Sequence, residues 1–176
     1  MGKRSRVIAA GGIAVGAALL LVDRFARRRK QVVTLNQEMA APASAVIDLI
    51  KQVEREKEFI PLVSSVRVLE RTNSEVRYIV RLRPPLPGAV RYGKWWIENP
   101  PAVYWRSEGG TMGFQHRGEI HFTERGGSCT IHLRSEHWMT APLAGRLAGP
   151  AVTPIIRAQL EAWLKHLADE LLRKGG

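Results

Sequence analysis

Residues 113–140 read GFQHRGEIHFTERGGSCTIHLRSEHWMT, and this stretch decides the fold. Two alternating segments flank Gly126 and Gly127, a pair typical of a tight turn between antiparallel strands. Pairing about this turn collects apolar pairs on one face of the hairpin and opposite charges on the other, as a half-buried sheet requires. A slip of one residue would destroy both patterns, so the sequence predicts the register. The predicted facing pairs are Phe122–Ile131, Ile120–Leu133, Glu119–Arg134 and Arg117–Glu136.

A long amphipathic helix is predicted after the hairpin, from Thr153 to Arg173. Its apolar residues recur at spacings of three and four, while charged residues occupy the rest of its circumference. We therefore expect the helix to lie across the apolar face of the sheet. The apolar stripe consists of Ile156, Leu160, Trp163, Leu164, Leu167 and Leu171.

The residues before the hairpin divide into shorter elements at proline, glycine and asparagine. The order is one strand, two short helices and six strands before the terminal helix. It predicts an α+β fold in which a seven-stranded curved antiparallel sheet surrounds that helix. The strands are predicted at about 32–39, 65–71, 76–83, 89–98, 102–107, 113–124 and 128–140, and the short helices begin at Ala41-Pro42 and near Gln52.

The net charge of +11 raises the question of nucleic-acid binding. Residues 1–30 hold eight Lys or Arg and one Asp, a net +7, which leaves +4 for the remaining 146 residues. Those residues are only mildly basic and show no concentrated basic patch with interleaved aromatic residues. We therefore expect no nucleic-acid partner. The single cysteine, Cys129, excludes an internal disulfide.

An uninterrupted run of sixteen apolar or glycine residues extends from Val7 to Val22. As a helix it would measure about 24 Å, which approaches the ~30 Å hydrocarbon core of a bilayer when flanking arginines reach the interface. The segment from Asp23 to Lys30 reads as a stop-transfer signal rather than a cleavage site. We expect one uncleaved, single-pass N-terminal transmembrane helix; a cleaved signal peptide and a surface-lying or buried helix are the alternatives. Five basic residues follow the run and three precede it, which predicts a cytoplasmic domain.

The element order and three local motifs resemble the START/helix-grip superfamily, in particular its polyketide cyclase/dehydrase-like (SRPBCC) domains. The motifs are residues 40–46 at the first helix, residues 59–63 leading into 66–70, and residues 118–122 before the hairpin turn. The resemblance covers about residues 32–173 and implies a helix-grip domain over residues 31–176. The hydrophobic run and its basic flanks make residues 1–30 the predicted membrane anchor. It also implies an apolar cavity between the sheet and the C-terminal helix, which relatives use for lipids, quinones, polyketides or hormones.

Two histidines call for a functional interpretation because the hairpin register places His116 opposite His137 on the apolar face. Two imidazoles without a neighbouring carboxylate or cysteine make only half a zinc site, so we predict no metal and no cofactor. Two interpretations stay open. Either the histidines bind water or loop backbone at the open end of the sheet, or they anchor the polar head group of a ligand.

Aromatic residues are concentrated on the fourth strand, where Tyr92 and Trp96 share one face and Trp95 lies on the other. Aromatic lining of the cavity by Tyr78, Tyr92 and Trp96 is our prediction, and ordinary core packing is the alternative. A further alternative places Trp95 or Trp105 at the membrane interface. The predicted ligand-binding residues are Tyr78, Tyr92, Trp96, Phe114, His116, Ile120, Phe122, Leu133, His137 and Trp163.

No nucleophile with an adjacent base is recognisable, so the sequence predicts no specific catalytic residue. We expect a membrane-tethered domain that binds or transfers an apolar ligand, such as a lipid, a quinone or an isoprenoid. Its partners would then be the lipid bilayer and this small molecule. One alternative is a cyclase or dehydratase that uses the same cavity. The other is an interaction or assembly subunit that binds a membrane protein partner.

Overall fold

The computed structural model describes residues 30–83, 90–98, 101–110, 113–140 and 142–175. The predicted membrane helix at residues 7–22 lies outside these ranges. Within them, no helix is both long enough and apolar enough to span a bilayer.

Seven strands form a single antiparallel sheet in the described part of the chain, in the order β1-β7-β6-β5-β4-β3-β2. The sheet therefore ends at β1 on one side and β2 on the other. From β2 to β7, strands that are consecutive in the sequence are neighbours in the sheet. β1 is the edge strand next to β7. The strands are β1 (Gln31–Met39), β2 (Val63–Arg71), β3 (Glu75–Leu82), β4 (Val90–Glu98), β5 (Ala102–Gly110), β6 (Phe114–Arg125) and β7 (Ser128–Met139).

The predicted register of the β6–β7 hairpin is confirmed. Glu119 faces Arg134 and Arg117 faces Glu136, while the apolar residues pair on the opposite face. The Arg117 guanidinium lies 2.7 Å from the Glu136 carboxylate, which is the shorter of the two cross-strand ion pairs. Gly126 and Gly127 have φ angles of +57° and +85°, a left-handed conformation that residues with a side chain adopt at a cost.

The helices are α1 (Ala43–Ile50), a 3₁₀ turn (Val53–Arg55), α2 (Glu56–Phe59) and α3 (Pro142–Gly175). α3 begins well before Thr153, so the predicted start of the terminal helix was wrong. Pro150 and Pro154 both lie inside the helix. A proline lacks the N–H that an interior helical residue donates, which is why the sequence pattern favoured a helix start next to Pro154.

The hydrophobic core has two parts, both on the concave face of the sheet. The larger part joins β6 and β7 to α1 and α3, and its buried residues include Val46, Ile131 and Leu164. The smaller part joins β2, β3 and β4 around Val76 and Trp95. Residues from both parts border the same internal space, which is described below.

Side-chain contacts hold the short segment Val53–Phe59 against α3. The Arg55 guanidinium lies 3.2 Å from the buried carboxylate of Glu170. The ring of Phe59 stacks on His166 with ring centroids 4.2 Å apart. These contacts position α2 as one wall of the internal space, beside the concave face of the sheet.

Candidate functional site

A cavity of about 560 Å³ lies between the concave face of the sheet and the helices α1, α2 and α3. Most of its lining side chains are apolar, and they come from β2 to β7 as well as from the three helices. Volumes of this size hold small organic ligands in other proteins. Close-packed interiors otherwise leave few voids larger than a water molecule, so the space is unusual for a core.

Several residues that we predicted for the ligand site line this cavity. Tyr78 contributes from β3, His116 and Ile120 from β6, His137 from β7 and Trp163 from α3. The apolar stripe of α3 therefore divides into two regions along the helix. Its N-terminal part, with Trp163, borders the cavity. Its C-terminal part fills the core with Leu164, Leu167 and Leu171.

Two predicted site residues belong to the core instead of the cavity wall. Leu133 is buried in the larger core cluster, and Phe122 packs against that cluster. Leu164 and Leu167 of α3 belong to the same packed cluster. Phe114 pairs with Met139 in the register, and its side chain lies outside the described part of the structure.

The predicted face of β4 was wrong. Tyr92 is 44% exposed, and neither it nor Trp96 lines the cavity; Trp95, which is 3% exposed, does. Trp96 instead stacks on Tyr104, with ring centroids 5.6 Å apart and Lys94 above its ring. Because β4 carries aromatic side chains on both faces, alternation alone does not tell which face is buried.

Two aromatic rings in the cavity wall lie over glycines of the neighbouring strand. Tyr78 faces Gly93, where an added Cβ would lie 2.8 Å from the ring. Trp105 faces Gly118, where an added Cβ would overlap the indole and lie 2.6 Å from the carbonyl oxygen of Arg134. The absence of a side chain at each glycine lets the facing ring lie flat against the sheet.

The two predicted histidines are held in the wall by hydroxyl groups. His116 Nδ1 lies 2.7 Å from Ser107 Oγ, which also accepts a hydrogen bond from the His116 backbone N–H. His137 Nε2 lies 3.2 Å from Thr153 Oγ1 of α3. Burial lowers the pKa of both rings, and for His116 the nearby charge of Arg91 lowers it further. Both imidazoles are therefore neutral at physiological pH.

A second polar group in the cavity, which the sequence prediction missed, consists of Glu56, Tyr78 and Arg91. Burial raises the pKa of the Glu56 carboxyl to about 7, and the positive charge of Arg91 opposes that shift. The pKa of Tyr78 is raised by burial and by Glu56, while Arg91 opposes this change through its charge and a hydrogen bond. The group therefore places a titratable carboxyl and a permanent cation inside a mostly apolar space.

Four buried polar atoms of the lining have no hydrogen-bond partner among the residues that the structure describes. They are Glu56 Oε2, Arg91 Nε, Trp95 Nε1 and Gln159 Oε1. Buried polar atoms in folded proteins normally have a protein or water partner, so atoms without one are rare. The four supply two donors and two acceptors for a molecule in the cavity. No group of three His, Cys, Asp or Glu side chains in the described ranges is arranged to hold a metal ion.

Known structures share this architecture. The TTHA0849 protein of Thermus thermophilus is 20% identical and superposes with a TM-score of 0.70 over 83% of this chain and 100% of that one. The Zhui aromatase/cyclase of Streptomyces sp. R1128 is 14% identical, with a TM-score of 0.65 over 84% and 97%. A START superfamily protein of Mycobacterium smegmatis is 17% identical, with a TM-score of 0.55 over 80% and 93%. These similarities confirm the predicted START-like helix-grip fold.

No curated protein matches the chain in sequence. A family model does match, over residues 39–163. This range runs from the end of β1 to Trp163 of α3 and includes most of the cavity wall. The chain therefore belongs to the polyketide cyclase / dehydrase and lipid transport family.

Proposed function

We propose that the protein binds an apolar small molecule, such as a lipid, a quinone or an isoprenoid, in the cavity between the sheet and α3. The single observation that carries this proposal is a mostly apolar space of about 560 Å³ between the sheet and the helices. An apolar molecule gains about 25 cal/mol for each Å² of its surface that leaves water. A cavity with mostly apolar walls is suited to supply that gain.

The unpartnered polar atoms support the same proposal. Each buried donor or acceptor without a partner destabilises the protein by about 1–3 kcal/mol. A ligand with a polar end can hydrogen-bond to Glu56 and Arg91 while its apolar body contacts the rest of the wall. The ligand we propose is therefore amphipathic, with a small polar group and a larger apolar part.

Membrane tethering forms part of the proposal. A transmembrane helix at residues 7–22 would keep the domain close to the bilayer, where apolar ligands are concentrated, and thus raise its effective concentration there. The basic residues of the segment 27–30 would attract anionic lipid head groups. The arrangement suits a protein that takes up or delivers its ligand at the cytoplasmic surface of a membrane.

Extraction of the purified protein tests ligand binding directly. Organic extracts of full-length protein in mild detergent are analysed by mass spectrometry, together with two variants of α3. Gln159→Trp places a larger side chain in the cavity and reduces its volume, whereas Arg157→Trp adds the same side chain at an exposed position that does not line it. We expect less of the apolar molecule per mole of protein in extracts of Gln159→Trp than in extracts of the wild type and of Arg157→Trp. Empty wild-type extracts, together with an unchanged melting temperature after delipidation, would favour the interaction-subunit alternative.

A cyclase or dehydratase is the second candidate, because a carboxyl with a pKa of about 7 next to a guanidinium can donate and accept protons. The variant Glu56→Gln distinguishes this activity from simple binding. An enzyme with this variant would accumulate its substrate, so the extracted molecule would differ from the wild-type one by a water molecule or would be an isomer. A carrier would yield the same molecule from both proteins.

A further inference from the structure

Glu56 and Arg91 form an ion pair in the cavity wall without a direct hydrogen bond between them. Glu56 Oε2 and Arg91 Nη2 are 3.9 Å apart, beyond hydrogen-bond distance. The Glu56 side chain is 15% exposed, yet its Oε2 atom is buried and accepts no hydrogen bond from the described residues. Arg91 Nε likewise donates none within that part of the chain. Direct contact between carboxylate and guanidinium is normally near 2.8 Å, so these two groups are not hydrogen-bonded to each other, and one polar atom of a ligand in the cavity can lie beside the pair and bind both.

The chemistry of the two side chains determines which ligand group can bind both of them. A guanidinium only donates hydrogen bonds, and an ionised carboxylate only accepts them. A hydroxyl is able to accept from Arg91 and donate to Glu56 at the same time. A ligand carbonyl offers no proton to Glu56, and a ligand carboxylate would add a second negative charge beside it.

We propose that the ligand of this cavity carries a hydroxyl group, as an alcohol, a phenol or a quinol, and that this hydroxyl bridges Glu56 and Arg91. The inference rests on the proposed function, because it requires an apolar molecule in the cavity. It narrows the ligand class: quinones, aldehydes and fatty acids with the same apolar body bind more weakly. Tyr78 supports the bridge because its hydroxyl oxygen accepts a hydrogen bond from Arg91 and so orients the guanidinium.

Two series of matched probes test this inference. Retinol, retinal and retinoic acid share one elongated apolar body, and naphthol, naphthaldehyde and naphthoic acid share one compact ring system. Binding to the purified full-length chain is followed by quenching of tryptophan fluorescence, since Trp95, Trp105 and Trp163 line the cavity. The titrations are made at about pH 8, where the Glu56 carboxyl, with its pKa of about 7, is mostly ionised. We expect the alcohol of each series to bind at least about tenfold more tightly than the aldehyde or the acid.

Variants of Glu56 and Arg91 test whether these two residues cause the preference for the alcohol. Glu56→Met and Arg91→Met should each remove the preference for the alcohol while binding of the aldehyde persists, which also shows that the variants are folded. Glu58→Met is the matched control on α2, because Glu58 pairs with Arg55 and does not line the cavity. It should retain the preference of the wild type.

The possible failures are distinguishable. Equal binding of all members of a series, tighter binding of the acid, or an unchanged preference in Glu56→Met would overturn the hydroxyl inference and leave apolar-ligand binding standing. Absence of binding for both series would refute the proposed function itself, and the hydroxyl inference with it.

Discussion

Replacement of Glu56 by Gln should change how stability depends on pH. The folded state raises the pKa of this carboxyl from 4.5 to about 7, because burial disfavours its charged form. A raised carboxyl pKa means that the folded state binds the proton more tightly than the unfolded state. The resulting stability is therefore complete below pH 4.5 and is lost as the pH rises through about 7.

The magnitude follows from the size of the shift. Each pKa unit corresponds to about 1.36 kcal/mol, so ionisation of Glu56 should reduce the free energy of unfolding by about 3 kcal/mol. Gln is a neutral residue of the same size and does not titrate. Relative to Glu56→Gln, the wild type should thus lose about 3 kcal/mol between about pH 4.5 and about pH 8.

Urea unfolding followed by tryptophan fluorescence measures this difference at several pH values. His116 and His137 change the stability with pH in the opposite direction. Their pKa is depressed in the folded state, so their contribution to stability falls as the pH drops through 6.5 and below. They are common to both proteins, so their contribution cancels in the difference. Glu58→Gln serves as the control, since the Glu58 side chain is 45% exposed. A difference between wild type and Glu56→Gln that is the same at every pH would refute the reasoning.

Three further predictions concern the wall and the anchor. Gly118→Ala should destabilise the protein by about 1–3 kcal/mol in urea unfolding, because the new methyl group would overlap Trp105; an unchanged midpoint would contradict the described contact. Trp163→Ala should reduce the unfolding free energy by less than the about 3–5 kcal/mol expected for a fully packed tryptophan, because Trp163 borders the cavity; a full loss would show that its surroundings are close-packed. Residues 31–176 should fold as a soluble protein, whereas the full chain should sediment with membranes and resist high salt; release by salt alone would show that residues 1–30 bind the membrane only at its surface.

The hairpin was predictable because its two faces carry independent information. Apolar pairing and charge pairing both specify the same register, so a wrong alignment would violate two patterns at once. β4 offers no such redundancy. Its aromatic side chains occupy both faces, and the pairing with β5 shifts between Tyr92 and Gly93. Alternation therefore indicated a strand there without indicating which side of it is buried.

The carboxyl–guanidinium pair in the wall was missed for a related reason. Glu56 lies in a highly charged segment, which resembles a solvated helix, and only tertiary packing brings it under α3. The sequence does contain a weak indication that Arg91 lies inside the domain. It lies two residues before Gly93 and four before Trp95, on the same face of β4, so the correct face assignment would have placed a cation inside. Pair distances between such distant residues do not follow from sequence periodicity.

The way α2 is held has a kinetic consequence. This one-turn helix forms part of the cavity wall, and the contacts Arg55–Glu170 and Phe59–His166 connect its segment to α3 through side chains instead of a strand ladder. Local opening of such a segment requires much less free energy than global unfolding. The residence time of a bound molecule should therefore depend on these contacts rather than on the melting temperature of the domain. Exchange of a bound molecule can in this way be fast while the sheet stays rigid.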